Sequence, residues 1–412
     1  MTREMKDSGV EWIGEISADW GLSTIGAHYK QRNEKVSDLD FAPLSVTKNG
    51  VVPQLDSAAK SSNHNDRKLV KKNDFVINSR SDRKMSCGIA NEDGSVSLIN
   101  IVLYSDSISK EYTKYLLKNY SFAEEFYRWG TGIVADLWST KWDRMKKIAI
   151  PVPTLEEQNK IASTLDELTE KIDSIIIDTK QSIEELKKYK QSLITEAVTK
   201  GLDKNVEMKD SGKEFIGEIP IGWNVRKFGN VTKINSSLVN PNDFLNLQQV
   251  SPDDIEKDSG RLIKFKTVME SGVSSNNYSF LKGQILYSKI RPKLNKVVIA
   301  PFDGLCSADM YPIDTTENSE FILYLMMSHY FVYQVSMVTA DRVKMPKINQ
   351  NELSNLTIVL PNEIEQNQIV SYLKERMERI DIIIDGKEQL ISELEQYKKS
   401  LIYEYVTGKK EV

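Results

Sequence analysis

At 412 residues, 40% of them apolar, the chain exceeds what one hydrophobic core usually organises, so two or more domains are expected. Its two cysteines, Cys87 and Cys306, offer neither a close metal-binding pair nor a disulfide framework, which excludes a zinc module and makes a reducing, cytoplasmic setting the expectation. The formal charge of -4, from 55 basic and 59 acidic residues, argues on its face against nucleic acid, and no stretch approaches the ~18 apolar residues of a membrane span or an export signal.

The first recognisable element is Met5-Lys-Asp-Ser-Gly-Val-Glu-Trp-Ile-Gly-Glu-Ile16, closed by Trp20. Short apolar runs bounded by Gly, Asn, Asp and Pro follow, mixed with a few amphipathic stretches, which predicts an α/β or α+β domain. Within it, Lys71 to Asn78 reads as a turn and strand leading into the basic loop Ser79-Arg-Ser-Asp-Arg-Lys84, and Cys87 to Ala90 as the returning strand. A second polar tract, Arg128-Trp-Gly-Thr-Gly132 with Ser139-Thr-Lys-Trp-Asp-Arg144, precedes the next element. Its aromatics Trp129, Trp138 and Trp142 are expected to pack rather than to stack on bases.

Pro153-Thr-Leu-Glu-Glu157 carries helix-start chemistry, with Thr154 to cap and Glu157 to reach back. Ile161, Leu165, Leu168, Ile172 and Ile175 then recur at alternating four and three spacing, and Ile183, Leu186, Leu193 and Ala197 resume the stripe after a slip near Thr179. The pattern predicts one helix of about 45 residues, roughly 65 Å long, whose narrow apolar seam suits a single partner helix.

Everything then repeats. Met208 to Ile219 and Trp223 restate the opening element with 11 of 16 positions identical, and Pro361 to Lys409 restates Pro153 to Gly201 without gaps, with 25 of 49 identical. The second stripe runs Ile369, Leu373, Ile380, Ile383, Leu394, Leu401 and Tyr405, broken once by Arg376. The regions between these frames have diverged. The chain therefore divides into a variable domain (1–152), a helix (153–201), a second variable domain (202–360) and a second helix (361–412), with the helices expected to pair antiparallel in a pseudo-two-fold duplication. A plain duplication would not explain constant frames around dissimilar middles.

The helical segments also resolve the charge. Leu155 to Lys200 holds 10 acidic and 7 basic residues and Asn362 to Thr407 holds 10 and 6, so everything else carries a net +3. In the second copy the loop equivalent to residues 79–84 is Lys289-Ile-Arg-Pro-Lys-Leu-Asn-Lys296, between an apolar run ending at Ser288 and its return at Val297 to Ala300. Residues 282 to 302 contain five cations and no carboxylate. Arg and Lys neutralise phosphates, while Arg, Asn and Ser also bond base edges. The candidate DNA-contacting residues are thus Asn78, Ser79, Arg80, Arg83, Lys84, Arg128, Thr140 and Lys141 in the first copy. In the second they are Lys289, Arg291, Lys293, Lys296, Arg342, Lys344 and Lys347. His28, His64 and His329 stand apart with no second ligand at metal spacing.

The repeated Lys-Asp-Ser-Gly-x-Glu-x-Ile-Gly-Glu-Ile frame at Lys6 and Lys209, with Pro153-x-x-x-Glu157-Gln158-x-x-Ile161 and Pro361-x-x-x-Glu365-Gln366-x-x-Ile369, resembles the specificity subunit of type I restriction-modification enzymes over essentially the whole chain. The resemblance implies a non-catalytic chain with two target recognition domains separated by two long antiparallel coiled-coil helices, each domain reading one half of a split double-stranded DNA target. It implies as partners two modification subunits, which use S-adenosylmethionine to methylate adenine, and restriction subunits, which use ATP and Mg for translocation and cleavage. No cofactor or metal is expected on this chain itself.

Two rivals are weighed against it. A fused methyltransferase-nuclease needs an Asn or Asp-Pro-Pro-aromatic grip on a flipped base, and the nearest string, Asn240-Pro-Asn-Asp-Phe244, lacks the second proline. No G-x-x-x-x-G-K-[ST] loop is present, and Pro252-Asp253 is not followed within about twenty residues by a Glu or Asp two before a Lys, as a metal-dependent nuclease needs. A purely structural coiled-coil tether would lack salt-sensitive DNA affinity.

Overall fold

A computed structural model of the chain describes residues 4–55, 64–132, 138–342 and 346–412. It divides into two compact units, one comprising the chain up to Thr179 together with Glu388–Val412, the other Lys180–Lys387. Each unit therefore combines one variable domain with part of both long helices, regrouping the four sequence segments. The class is α+β, with antiparallel sheets and helices on their flanks.

In the first unit a four-stranded antiparallel sheet runs in the order Cys87–Ile89, Phe75–Asn78, Asn100–Ser105, Tyr29–Arg32. The second unit has the counterpart, Val297–Ile299, Ile285–Ser288, Met310–Thr315, Thr232–Ile234. The apolar runs that predicted the basic hairpins are central and edge strands of these sheets. Their turns need a left-handed residue, supplied by Asn73 (φ 75°) in one copy and Gly283 (φ 91°) in the other. Beside each lies a second sheet, three-stranded in the first unit and five-stranded in the second. The larger one includes the parallel pair Gln248–Val250 and Gly304–Cys306.

The repeated opening element is a small hairpin: Met5–Asp7 pairs with Glu15–Ser17, and Met208–Asp210 with Glu218–Pro220. Ile16 and Ile219 point into the cores. Lys6 Nζ donates to the carbonyls of Ala18 and Trp20, and Lys209 Nζ to that of Ile221, which fixes the strand leading to each tryptophan.

The helices span Leu155–Lys200 and Glu363–Val406. Thr154 Oγ1 accepts the Glu157 N–H and Asn362 Oδ1 the Glu365 N–H, as the cap chemistry predicts. The glutamate carboxylates hold indoles: Glu157 accepts the Trp20 indole N–H at 2.9 Å, and Glu365 that of Trp223 at 3.0 Å. The adjacent glutamines are buried. Gln158 Oε1 accepts the N–H of Ser109, which caps the helix Lys110–Leu116, and Gln366 Oε1 accepts the N–H of Asn318, which caps Ser319–Met327.

Within each unit the two helix segments run antiparallel. In the first, Gly408 beyond the end of the second helix lies against Trp20, the partner of Glu157 near the start of the first, while further along Asp173 pairs with Lys398 at 2.6 Å. In the second, Gly201 lies against Trp223 and Glu365, while Lys190 pairs with Asp381 at 2.6 Å. The seam departs from the expected phase by one residue in both helices: Ile176 and Ile384 are buried, whereas Ile175 and Ile383 are exposed. A straight helix drifts from a strict heptad at about 20° per repeat, and the buried face moves to the next residue. Among the described residues no single helix is long and apolar enough to cross a membrane.

Gly408 stops its helix with φ 73°, and a Cβ there would lie 3.1 Å from Trp20. Gly9 has φ 67° with nothing within 4 Å of such a Cβ. Gly9→Ala is therefore expected to cost about 1 kcal/mol through backbone strain alone, and Gly408→Ala about 1–3 kcal/mol more through crowding of the tryptophan. Urea denaturation followed by tryptophan fluorescence checks the order; equal losses would show that the helix stop does not press on Trp20.

Candidate nucleic-acid interface

The two basic tracts of each variable domain, separate in sequence, meet in space. In the first unit Asn78 closes its strand and its Oδ1 accepts the Arg80 N–H, turning the chain into a short 3-10 segment, Ser81–Arg83. There Arg80 pairs through its backbone with Ser139 as an isolated antiparallel bridge. The Thr140 N–H donates to Ser79 O and the Ser81 N–H to Trp138 O, both at 2.9 Å. In the second unit Ile290 bridges Lys347 in the same manner, the Arg291 N–H donates to Pro346 O at 2.9 Å, and the Ile348 N–H to Lys289 O at 3.0 Å. Hairpin loop and pre-helix loop thus form one surface in each unit.

The cations on that surface fall into groups. Arg80, Lys141, Arg291 and Lys293 are exposed and have no ion-pair partner among the described residues. Others are exposed but paired: Arg83 with Asp82, Lys84 with Glu124, and Lys347 with Asp309. Arg342, half-buried, pairs with Glu352. Exposed pairs of this kind are worth little and exchange readily for phosphate. Lys289 is half-buried over the rings of Tyr278 and Tyr311, at 5.9 and 5.3 Å. Burial holds its ammonium below the usual lysine range, Asp309 pulling the other way. Lys344 lies outside the described residues.

Four expected contacts are redirected by packing. Thr140 is fully buried and its hydroxyl donates to Phe126 O at 2.7 Å, so it anchors the loop from inside. Ser79 is also buried, its hydroxyl 3.2 Å from that of Ser139. Lys296 folds back, donating to Pro252 O at 2.7 Å beside Asp253. Arg128 is clamped between Glu11 and Glu125. Of the tryptophans, Trp129 and Trp142 pack against the core, but Trp138 is 39% exposed.

The loop partners Asp309, Glu124, Tyr278 and Tyr311 carry no local sequence signal. Glu352 does, because Asn349-x-x-Glu352 is a capping box, and that pairing orients the carboxylate toward Arg342. The cysteines are buried and inert, the Cys87 thiol pushed up to about 12 by burial and that of Cys306 higher still.

Comparison with known proteins gives concordant matches. The family described as type I restriction modification DNA specificity domain matches residues 34–187 and again 220–396. The chain is 32% identical over 276 residues to the type I restriction enzyme EcoDI specificity subunit of Escherichia coli, covering 63% of this chain and 62% of that protein. It is 28% identical over 289 residues to the MjaVIII specificity subunit of Methanocaldococcus jannaschii, covering 64% and 62%. The matches thus span less than two thirds of these relatives. A chain from a structure of the type I R-M system superposes with a TM-score of 0.73 at 14% identity, covering 96% of this chain and 99% of that one. The HsdS subunit from Thermoanaerobacter tengcongensis does so at 0.53 and 15% identity, covering 96% and 98%. At these identities the likeness is one of fold.

The local geometry separates structural from contact roles. Arg291 sits at φ 46°, a left-handed conformation, and is exposed. Arg291→Gly is expected to leave the fold intact or stabilise it by up to about 1 kcal/mol, whereas Thr140→Ala, which strands a buried carbonyl, costs about 1–3 kcal/mol. Thermal denaturation of both variants decides; a strong loss at Arg291 would make it a structural residue.

Proposed function

The chain belongs to the family of type I restriction-modification DNA specificity proteins, and from that membership we propose that it is the target-reading subunit of such a system, taking part by recognition and not by catalysis. The observation that carries the reading is the convergence, in each unit, of two basic loops onto one backbone-bridged surface, with cations that have no ion-pair partner among the described residues. Phosphate contacts from Arg80, Arg83, Lys84, Lys141, Lys289, Lys293, Arg342, Lys344 and Lys347 would set position, and Arg291, with its planar donor fork, suits a guanine edge.

Two units with unlike loops on like frames fit a bipartite target, each unit reading one block, with the helices fixing the unspecified spacer between them. On this reading modification subunits dock on the chain and methylate adenine with S-adenosylmethionine, and restriction subunits join to cleave with ATP and Mg. The methyl donor and nucleotide are bound by those partners. This chain contributes the address.

The test separates DNA-facing from structural cations. Arg291→Ala with Lys293→Ala should weaken binding and flatten its salt dependence by up to ~2 counterions, and Arg80→Ala with Lys141→Ala should act alike. Lys296→Ala, whose Nζ is committed to Pro252 O, should leave the slope unchanged. Fluorescence anisotropy between 50 and 200 mM salt reads the slopes. Methylation mapping with modification subunits then shows whether a change in one unit alters one target block only. Unchanged slopes in folded variants remove these loops from the interface, and a continuous target refutes the bipartite reading.

A further inference from the structure

The duplication allows the same position to be compared in its two copies, and at one place they differ in a way that points to a ligand. In the first unit Glu11 and Trp12 of the opening hairpin face the helix Tyr120–Arg128. Trp12 is 7% exposed, packs edge-on against Phe122 at 5.8 Å, and donates its indole N–H to Ala149 O. Arg128 reaches across to Glu11 at 2.5 Å. The site is closed by the chain's own arginine.

In the second unit the hairpin residues are Glu214 and Phe215, and the helix is His329–Val338. Its cap, Ser328, corresponds to Asn119, so Tyr333 takes the place of Glu124 and Met337 that of Arg128. The arginine is gone. Phe331, the counterpart of Phe122, packs on Phe228 instead, leaving Phe215 37% exposed. What remains is a cavity of about 410 Å³ lined by Glu214, Phe215, His329, Tyr330 and Tyr333. The rings of Phe215 and Tyr333 lie 6.3 Å apart, and Glu214 has no ion-pair partner among the described residues.

We propose that this cavity receives an arginine side chain from a modification subunit, supplied in trans where the first unit supplies Arg128 in cis. The proposal rests on the functional reading given above. The chemistry is specific: a guanidinium stacks on aromatic faces and takes a carboxylate through paired N–H donors. A phosphate would be repelled by Glu214, which separates this surface from the DNA-reading loops. An apolar side chain would leave the carboxylate desolvated and unpaired. The two units then differ as docking sites, the first self-filled and the second requiring its partner.

The decisive variant fills the cavity without emptying anything. Met337→Arg restores on the second unit the arginine that the first possesses, and is expected to pair with Glu214, keep or raise the melting temperature, and lower affinity for the purified modification subunit by ~10-fold or more. Glu214→Gln, nearly isosteric, should lower it by about the same factor. DNA affinity of the isolated chain should match wild type in both. Isothermal titration of each full-length chain with the modification subunit, and anisotropy with DNA, provide the readouts. If both variants take up the subunit like wild type, the inference falls and the functional reading stands. If the wild-type chain binds DNA but no modification subunit, both this inference and the partner half of that reading fall.

Discussion

The structure depends on a pair of adjacent side chains at the start of each long helix. Glu157 and Glu365 each take an indole N–H, and Gln158 and Gln366 each take the N–H of a residue that caps a helix of the variable domain. The glutamine amides also donate to the carbonyls of Pro153 and Pro361, so both ends of each buried amide are used. A buried amide left half-satisfied costs about 1–3 kcal/mol, which makes the arrangement close to all-or-none. Through two consecutive residues a rigid helix is locked to the segment that opens the domain and to a helix of the domain's core.

That lock explains how the units are assembled from the chain. The helix that leaves one variable domain is only half used there; the rest of its face is covered within the other unit, where Thr195 Oγ1 accepts the His329 N–H and Gln191 donates to Met327 O. In the first unit the end of the second helix takes the equivalent place, with Tyr112 donating to Val406 O and Tyr403 to Ile13 O. Each unit thus needs segments of both long helices. This is why Gly201 and Gly408, which terminate the two helices, each rest against a tryptophan of the opposite copy's frame.

How far the sequence could be read follows from what is local. Helix starts, caps and the basic hairpins are legible, because a cap three residues from its N–H, or a strand entered through a turn residue such as Asn73 or Gly283, is decided within a few residues. The seam was read one residue early at Ile175 and Ile383, since a strict repeat cannot register the drift of a real helix. The side-chain fates in the loops were not legible. Thr140 looks like any loop threonine until Phe126 O is found above it, and Lys296 looks as free as Lys293 until the chain returns past Pro252. Nor does spacing reveal that residues near 80 and near 139 share a bridge; that is a property of the sheet and of the chain crossing it.

The loops themselves show how unlike readings can be carried on a common frame. In the first unit the turn is a 3-10 segment with a single left-handed residue, Met85 at φ 64°; in the second, Arg291 and Asn295 are both left-handed around Pro292–Leu294. A left-handed non-glycine costs about 1–2 kcal/mol, and two of them within five residues would not persist in an isolated loop. They persist because the surroundings over-determine the backbone: the Arg291 N–H is held by Pro346 O, and Ile290 by its bridge to Lys347. Backbone pairing, indifferent to side-chain identity, therefore fixes where the loop begins, while the side chains at 291 and 293 project beyond it unpaired among the described residues. Substitution at such positions changes what is presented without disturbing how it is held, and that division lets a duplicated frame carry two dissimilar surfaces.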